Sequence, residues 1–395
     1  MQDQNRAELS RRDFLARAAA GAAAAAGAMS GMGLKLPAAL AGKVKKQTGM
    51  DYRVLGRTGL KVSELSFGTI RTGNEAVIHW GLDLGINFLD TAECYREGNG
   101  EIDLGRALKG RRDRVFVATK WHTDGKTPAA DLLKSLDESL QRLSMDHVDI
   151  IQIHGAENEA QVNSDELWAA FTTAKQAGKV RFNGLSVHGN HLAIIRAAVK
   201  SGRYDTVLPS YNAISTHVGP GVREAREAGL GVIVMKALAP AHRLRKAPAR
   251  AQGLQRSPYQ LSIQWVLADR NVSTIIVDMP TFDELEEDYA ALATAMTQAE
   301  KEAFEAALAR NTASVCHMCG ACTGQCPAGV KVADIMRFVL YHDGYGDRDR
   351  AVSLYRALSA GASAAACGDC ARCQVVCPWG VCVREQLEKA HAALA

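Results

Sequence analysis

The chain has 395 residues, 47% of them apolar and 23% charged, with 47 Lys and Arg against 43 Asp and Glu. That length exceeds one small domain, and the composition excludes a disordered, collagen-like or polytopic membrane protein. A formal charge of +4 is too weak a field to point to nucleic acid. Ten cysteines in so long a chain do not make a secreted disulfide scaffold, yet nine of them fall in the last 80 residues.

At the N-terminus, Ser10-Arg11-Arg12-Asp13-Phe14-Leu15 precedes an Ala/Gly run from Ala18 to Gly33, and Ala39-Leu40-Ala41 offers an A-x-A cleavage site. The run contains no Leu, Ile, Val or Phe, so its transfer energy is too small for a stable membrane span. The joint pattern resembles a twin-arginine (Tat) signal peptide over residues 1–41. That resemblance implies recognition by the Tat translocase and a periplasmic or otherwise exported protein. It also implies folding before export, commonly around a cofactor. An Ala-rich leader without an address is the plainer alternative.

From Tyr52 to about Ala295, short apolar runs alternate with amphipathic stretches. Strands are predicted at Glu64–Gly68, Asn87–Thr91, Val115–Lys120, Val148–His154, Gly184–His188, Thr206–Tyr211, Gly231–Lys236 and Thr274–Val277. Helices are predicted between them, among them Glu75–Leu84, Ala129–Leu143, Asp165–Ala177, Val222–Ala228 and Pro258–Ala268. A final barrel helix is predicted at Phe282–Leu292. Eight strand–helix pairs predict a closed (β/α)8 TIM barrel over 50–311. A doubly wound sheet would show a Gly-rich phosphate turn after its first strand, and Gly68-Thr69-Ile70-Arg71 is not one.

Four motifs carry a resemblance. The opening Tyr52-Arg53-Val54-Leu55-Gly56-Arg57-Thr58-Gly59 looks like the N-terminal hairpin of the aldo/keto reductases, and Asp90-Thr91-Ala92-Glu93-Cys94-Tyr95 matches their D-T-A-x-x-Y motif. Val117-Ala118-Thr119-Lys120 and Asp149-Ile150-Ile151-Gln152-Ile153-His154 match their lysine and histidine strands. The resemblance implies a catalytic set of Asp90, Tyr95, Lys120 and His154, acting on a small carbonyl or hydroxyl substrate. The residue types fit that chemistry. A phenol with a pKa near 10 is a poor acid at neutral pH, and a lysine held by an aspartate is expected to lower it. His154 would orient the substrate oxygen. Taken singly, a lysine or histidine at a strand end is an ordinary solvated rim residue.

The resemblance also implies NADP(H), with Ser186, Tyr211 and Lys236 as candidate contacts. Here the sequence departs from the family pattern. Gly184-Leu185-Ser186-Val187 keeps the serine of strand five but lacks the following asparagine, Leu208 replaces a glutamine before Tyr211, and Met235-Lys236 stands where a stacking tyrosine is usual. After strand eight, Val277-Asp278-Met279-Pro280-Thr281-Phe282-Asp283-Glu284 is acidic where phosphates would lie. The basic stretch His242-Arg243-Leu244-Arg245-Lys246, with Arg250 and Arg256, reads as a solvated loop or a phosphate holder. His122 and His188 are rim candidates for substrate contact, and Cys94 reads as a small buried residue.

In the last segment the spacing C-x2-C-x2-C-x3-C-P occurs twice, at Cys316, Cys319, Cys322, Cys326 and at Cys367, Cys370, Cys373, Cys377. This is the bacterial ferredoxin signature, in which the fourth cysteine of each run ligates the other cluster. The expected sets are Cys316, Cys319, Cys322 with Cys377, and Cys367, Cys370, Cys373 with Cys326. Zinc would favour separated ligand pairs. Cys382 is left over as a structural residue. Helical patterns at Val332–Tyr341 and Ala351–Leu358 separate the runs. Residues 312–395 thus resemble a small, mainly α-helical ferredoxin-like domain with two [4Fe–4S] clusters.

The parts together predict an exported iron–sulfur oxidoreductase of aldo/keto reductase type, with a redox partner protein, no nucleic acid and no stable membrane span. A barrel reduced to a binding scaffold in an electron-transfer subunit is the alternative. Structural clusters without redox function are a third reading.

Overall fold

The computed structural model describes residues 49–244, 253–311, 315–370 and 372–395. The leader and its cleavage site lie outside the described residues. Among the described residues, no helix is long and apolar enough to cross a membrane.

A two-stranded antiparallel hairpin opens the described chain, β1 (Tyr52–Val54) with β2 (Lys61–Ser63). Eight parallel strands follow: β3 (Leu65–Gly68), β4 (Phe88–Asp90), β5 (Phe116–Trp121), β6 (Val148–Ile153), β7 (Val180–Val187), β8 (Thr206–Pro209), β9 (Gly231–Val234) and β10 (Thr274–Asp278). They close in the order β10-β3-β4-β5-β6-β7-β8-β9. The expected barrel is therefore present, and β7 begins four residues earlier than its apolar run suggests because Arg181 and Phe182 continue the ladder.

These strands are buried on both faces, which is why they read as continuous apolar runs rather than alternating ones; every residue of Val148–Ile153 is buried. Inside the barrel, Phe88, Ala118, Ile150, Leu208 and Ile233 pack with Leu55, Leu60 and Val62, so the hairpin stoppers the end of the barrel remote from the strand C-termini. The outer helices bury one stripe each. In Ala129–Leu143 the buried apolar residues are Leu132, Leu136, Leu140 and Leu143, a spacing of three and four. Side-chain caps start several helices, Asn74 accepting from the Ala76 amide at 3.1 Å and Thr281 from the Glu284 amide at 3.2 Å.

Four further helices were not anticipated: Ala239–Leu244, Gln298–Asn311, Val383–Leu394 and the short Glu159–Val162. The first occupies part of the expected basic loop; residues 245–252 lie outside the described set, and Arg256 is bound to Glu300 at 2.8 Å. The C-terminal segment has its own core. Val332, Ile335, Met336, Phe338, Tyr341, Tyr355, Val383 and Leu387 pack together, with cysteines of both runs against them. Its helices are Val332–Val339, Arg348–Arg356 and Val383–Leu394, the first running into a π-helical turn at Leu340–Tyr345.

That segment is seated on the C-terminal face of the barrel. The Asn190 amide donates to the Cys319 carbonyl at 3.2 Å, and the Ser215 hydroxyl donates to the His317 carbonyl at 3.0 Å. Gly320 has φ +76°, and a Cβ there would stand 2.6 Å from the Asn190 nitrogen. Only glycine permits both that backbone and that approach.

Candidate active site beneath the C-terminal segment

Strand register builds the site. Asp90 ends β4 opposite Ala118 of β5. Lys120, two residues on, projects from the same face of β5, because side chains repeat every second residue. Gln152 of β6 lies opposite Lys120. As a result the Lys120 ammonium donates to Asp90 and to the Thr91 carbonyl (2.6 Å), and the Gln152 amide donates to the other Asp90 oxygen at 2.7 Å. Asp90 and Lys120 are 1% and 2% exposed, a desolvated ion pair braced by the Thr91 carbonyl and the Gln152 amide.

Tyr95 follows β4 on a short turn in which Arg96 and Glu97 both have positive φ, 51° and 57°. Its ring lies 4.8 Å from Lys120 Nζ and edge-on to His154, centroids 5.6 Å apart. His154 sits 3.5 Å through Nδ1 from Cys94 Sγ, and its ring is 5.8 Å from His122 and 6.2 Å from His188. The four residues of the expected set thus converge, all lining one cavity of about 270 Å³.

The electrostatics correct one expectation. Burial, with the Asp90 carboxylate, holds the Tyr95 phenol well above its ordinary value. The lowering expected from Lys120 is therefore outweighed by burial and by the Asp90 carboxylate. The cation that pulls Tyr95 down is Arg350. Tyr95 is consequently a protonated donor throughout the physiological range. Burial and nearby cations hold His154 and His188 well below the usual imidazole range, so both are neutral.

The other candidates separate. Ser186 lines the cavity, accepting from the Gly155 amide at 2.8 Å and donating to the Ile153 carbonyl at 3.2 Å. Lys236 lines it with φ +60° and meets His188 Nδ1 at 3.1 Å; burial lowers it to about 7. Tyr211 lies outside the cavity. Its ring packs on Trp265, centroids 5.4 Å apart, and its hydroxyl donates to Asp269 at 3.2 Å. Met235 and Asp278 do line the pocket. Cys94, expected to be buried packing, instead opens onto it, and His122, His188 and His242 line it as well.

Sequence reasoning missed the roof. Arg337, Tyr341, Tyr345, Asp347, Arg350 and Leu354 of the C-terminal segment line the same cavity as Tyr95. Arg350 lies over the rings of Tyr95 (5.9 Å) and Tyr341 (4.9 Å), and Tyr345 meets His242 edge-on at 4.8 Å. No local pattern could announce a contact between residues some 250 positions apart.

No disulfide joins any of the ten cysteines, all of which lie among the described residues. One cavity is framed by Cys316, Cys319, Cys322 and Cys377, a second by Cys326, Cys367, Cys370 and Cys373. In each, three cysteines of one run meet the fourth of the other. Among the described residues, no three His, Cys, Asp or Glu side chains converge as ligands of a single ion would. Burial raises the thiols of Cys316 and of Cys322, the latter to about 12.

Comparison with known proteins places the barrel. The profile described as "Aldo/keto reductase family" matches residues 64–309. The chain is 29% identical over 284 residues to an L-galactose dehydrogenase of Arabidopsis thaliana, covering 62% of this chain and 89% of the relative. It is 33% identical over 220 residues to an uncharacterized oxidoreductase of Bacillus subtilis, 48% of this chain and 67% of that one. Among solved structures it is similar to the holo form of the aldo-keto reductase AKR11C1 from Bacillus halodurans, at TM-score 0.57 and 27% identity over 65% of this chain and 96% of that chain. The barrel, its closed strand order and these likenesses agree: the chain belongs to the aldo/keto reductase family and is an oxidoreductase enzyme.

Proposed function

We propose that this enzyme is an exported iron–sulfur oxidoreductase. Tyr95 acts as proton donor to a carbonyl oxygen, or acceptor in the reverse direction, and the C-terminal segment is a two-cluster electron-transfer domain. The observation that carries the reading is the roof: the segment bearing the cysteines closes the pocket that contains Tyr95, Lys120 and His154.

The Asp90–Lys120 pair fixes the floor beside Tyr95. Neutral His154 offers a hydrogen bond to the substrate oxygen without supplying a competing proton. The C-terminal segment covers the face on which the substrate carbon would be presented. The grouping of the eight cysteines fits two [4Fe–4S] clusters, one held by Cys316, Cys319, Cys322 and Cys377, the other by Cys367, Cys370, Cys373 and Cys326. Bound clusters would supply single-electron exchange with a partner protein.

The residues present do not fit the family's dinucleotide. A nicotinamide laid across the mouth would meet Arg337, Tyr341, Tyr345 and Arg350, with Tyr211 turned away and Asp278 in the pocket. The reading therefore routes no step through NADP(H): Tyr95 would handle the proton on the substrate oxygen, and the two electrons exchanged at carbon would pass to or from the redox partner one at a time, with the proton at carbon exchanged with solvent. The signal sequence supports cytoplasmic folding followed by Tat export, and residues 1–41, 50–311 and 312–395 form the leader, barrel and cluster domain.

Anaerobic purification tests the reading. The expected result is about eight irons and eight acid-labile sulfides per chain, with no released dinucleotide. Absence of iron, or full turnover in Tyr95→Phe, would overturn it.

A further inference from the structure

The pocket holds five cations: Arg71, Lys120, Lys236, Arg337 and Arg350. Three have acidic partners. Lys120 is paired with Asp90, Arg71 with Glu284 at 3.3 Å, and Arg337 with Asp334 at 2.6 Å. Arg350 has none. Among the described residues its guanidinium makes no hydrogen bond or ion pair; the faces of Tyr95 and Tyr341 lie against it, and the Asp278 carboxyl attracts it only from beyond ion-pair distance. Lys236 meets a neutral imidazole, and the charges acting on it are Arg337, Arg350 and the Cys316 thiol, with no carboxylate.

The acidic residues of the cavity do not answer them. Asp278 accepts from the Arg71 amide at 3.2 Å, and burial drives its carboxyl toward the neutral form. Glu157 and Asp347 line the cavity without reaching ion-pair distance of Arg350 or Lys236. Two cations in an enclosed space repel each other and leave donors unused. A guanidinium carries five N–H donors in a fork that matches a carboxylate, and an aromatic face satisfies none of them.

We propose that the substrate is a small organic acid, its carboxylate held between Arg350 and Lys236 and its carbonyl or hydroxyl carbon presented to Tyr95 and His154. The proposal rests on the reading of Tyr95 as the proton-transferring residue. Because Arg350 stands over the Tyr95 ring itself, at 5.9 Å, the carboxylate lies within a few bonds of the reacting carbon. Substrates of the 2-oxo and 2-hydroxy acid class have that layout. The selecting side chain comes from the C-terminal segment, so specificity is set outside the barrel.

Calorimetry on the anaerobically purified, iron-loaded protein tests this with pyruvate against hydroxyacetone, which keeps the ketone and replaces the carboxylate with a neutral hydroxymethyl group. Pyruvate should bind roughly ten- to hundredfold more tightly, as expected for charge-assisted hydrogen bonds. Arg350→Gln and Lys236→Met should each remove about tenfold of that preference and leave hydroxyacetone unchanged, and Arg350→Lys should restore part of it. Equal binding of the two ketones overturns the proposal. So does an Arg350→Gln variant that binds pyruvate normally while the midpoint potential of a cluster moves, since the cations would then serve the iron site. Tyr95→Phe should keep pyruvate binding and lose turnover. Full turnover there would strike the reading of Tyr95, whereas the binding comparison would still judge Arg350.

Discussion

Lys236 Nζ lies 3.1 Å from Nδ1 of His188, and among the described residues His188 alone lines both the barrel cavity and the cavity framed by Cys316, Cys319, Cys322 and Cys377. The two compartments therefore share a wall one imidazole thick. That wall is set by β7, whose end carries His188 and Gly189 against Gly320.

The crossed grouping of the cysteines gives a specific expectation for variants. Cys377→Ser should abolish the same spectroscopic signal as Cys316→Ser, although Cys377 belongs to the second run in sequence. Cys326→Ser should match Cys367→Ser. Electron paramagnetic resonance of the dithionite-reduced proteins decides the matter. Pairing by sequence run instead of by cavity would show that the fourth cysteine does not cross.

Asp149 is a structural keystone of the barrel, far from its chemistry. Its carboxylate, 2% exposed, accepts from Arg112 at 2.8 Å, from Arg181 at 2.7 Å and from the Val117 amide at 2.9 Å, tying β5, β6 and β7 together. Asp149→Ala strands partly buried guanidinium groups and should cost about 3 kcal/mol. A fall in the urea midpoint with unchanged turnover per folded molecule is the expected outcome.

Gly320→Ala should loosen the seat of the C-terminal segment. The new methyl meets the Asn190 nitrogen and forces a left-handed backbone on alanine, for a strain of about 1–3 kcal/mol. Faster amide exchange across 332–356, with the barrel strands unaffected, would register it. Unchanged exchange there would mean that the contact does not hold the roof.

His191 makes stability depend on acid. Burial lowers its pKa from 6.5 to about 3, so between those values the unfolded chain binds a proton that the folded one refuses. Stability contributed by the neutral ring is complete above pH 6.5 and declines as pH falls toward 3. At pH 5 the loss is about 2 kcal/mol. His191→Gln should flatten that part of the pH–stability curve, read by thermal unfolding between pH 4 and 7.

The barrel and the floor of its site were legible because both follow short-range rules. Buried parallel strands leave uninterrupted apolar runs, and a two-residue period puts Ala118 and Lys120 on one face. Three features were not legible. Tyr211 turns toward Trp265 and away from the pocket, which depends on helix packing. The direction of the Tyr95 shift depends on burial first and on the Asp90 carboxylate second, neither of which residue spacing reveals. The placement of Arg350 depends on how one segment docks on another. The helix Gln298–Asn311 is a different case: Phe304, Ala307 and Leu308 are its buried residues, at helical spacing, and the signal was present.

The roof has one more implication. Residues 332–356 lie in sequence between the two cysteine runs, so whatever pins those runs also pins the ceiling over Tyr95. On the proposed reading, installing the two clusters would also fix the ceiling over Tyr95, so that maturation and catalytic competence would be a single event.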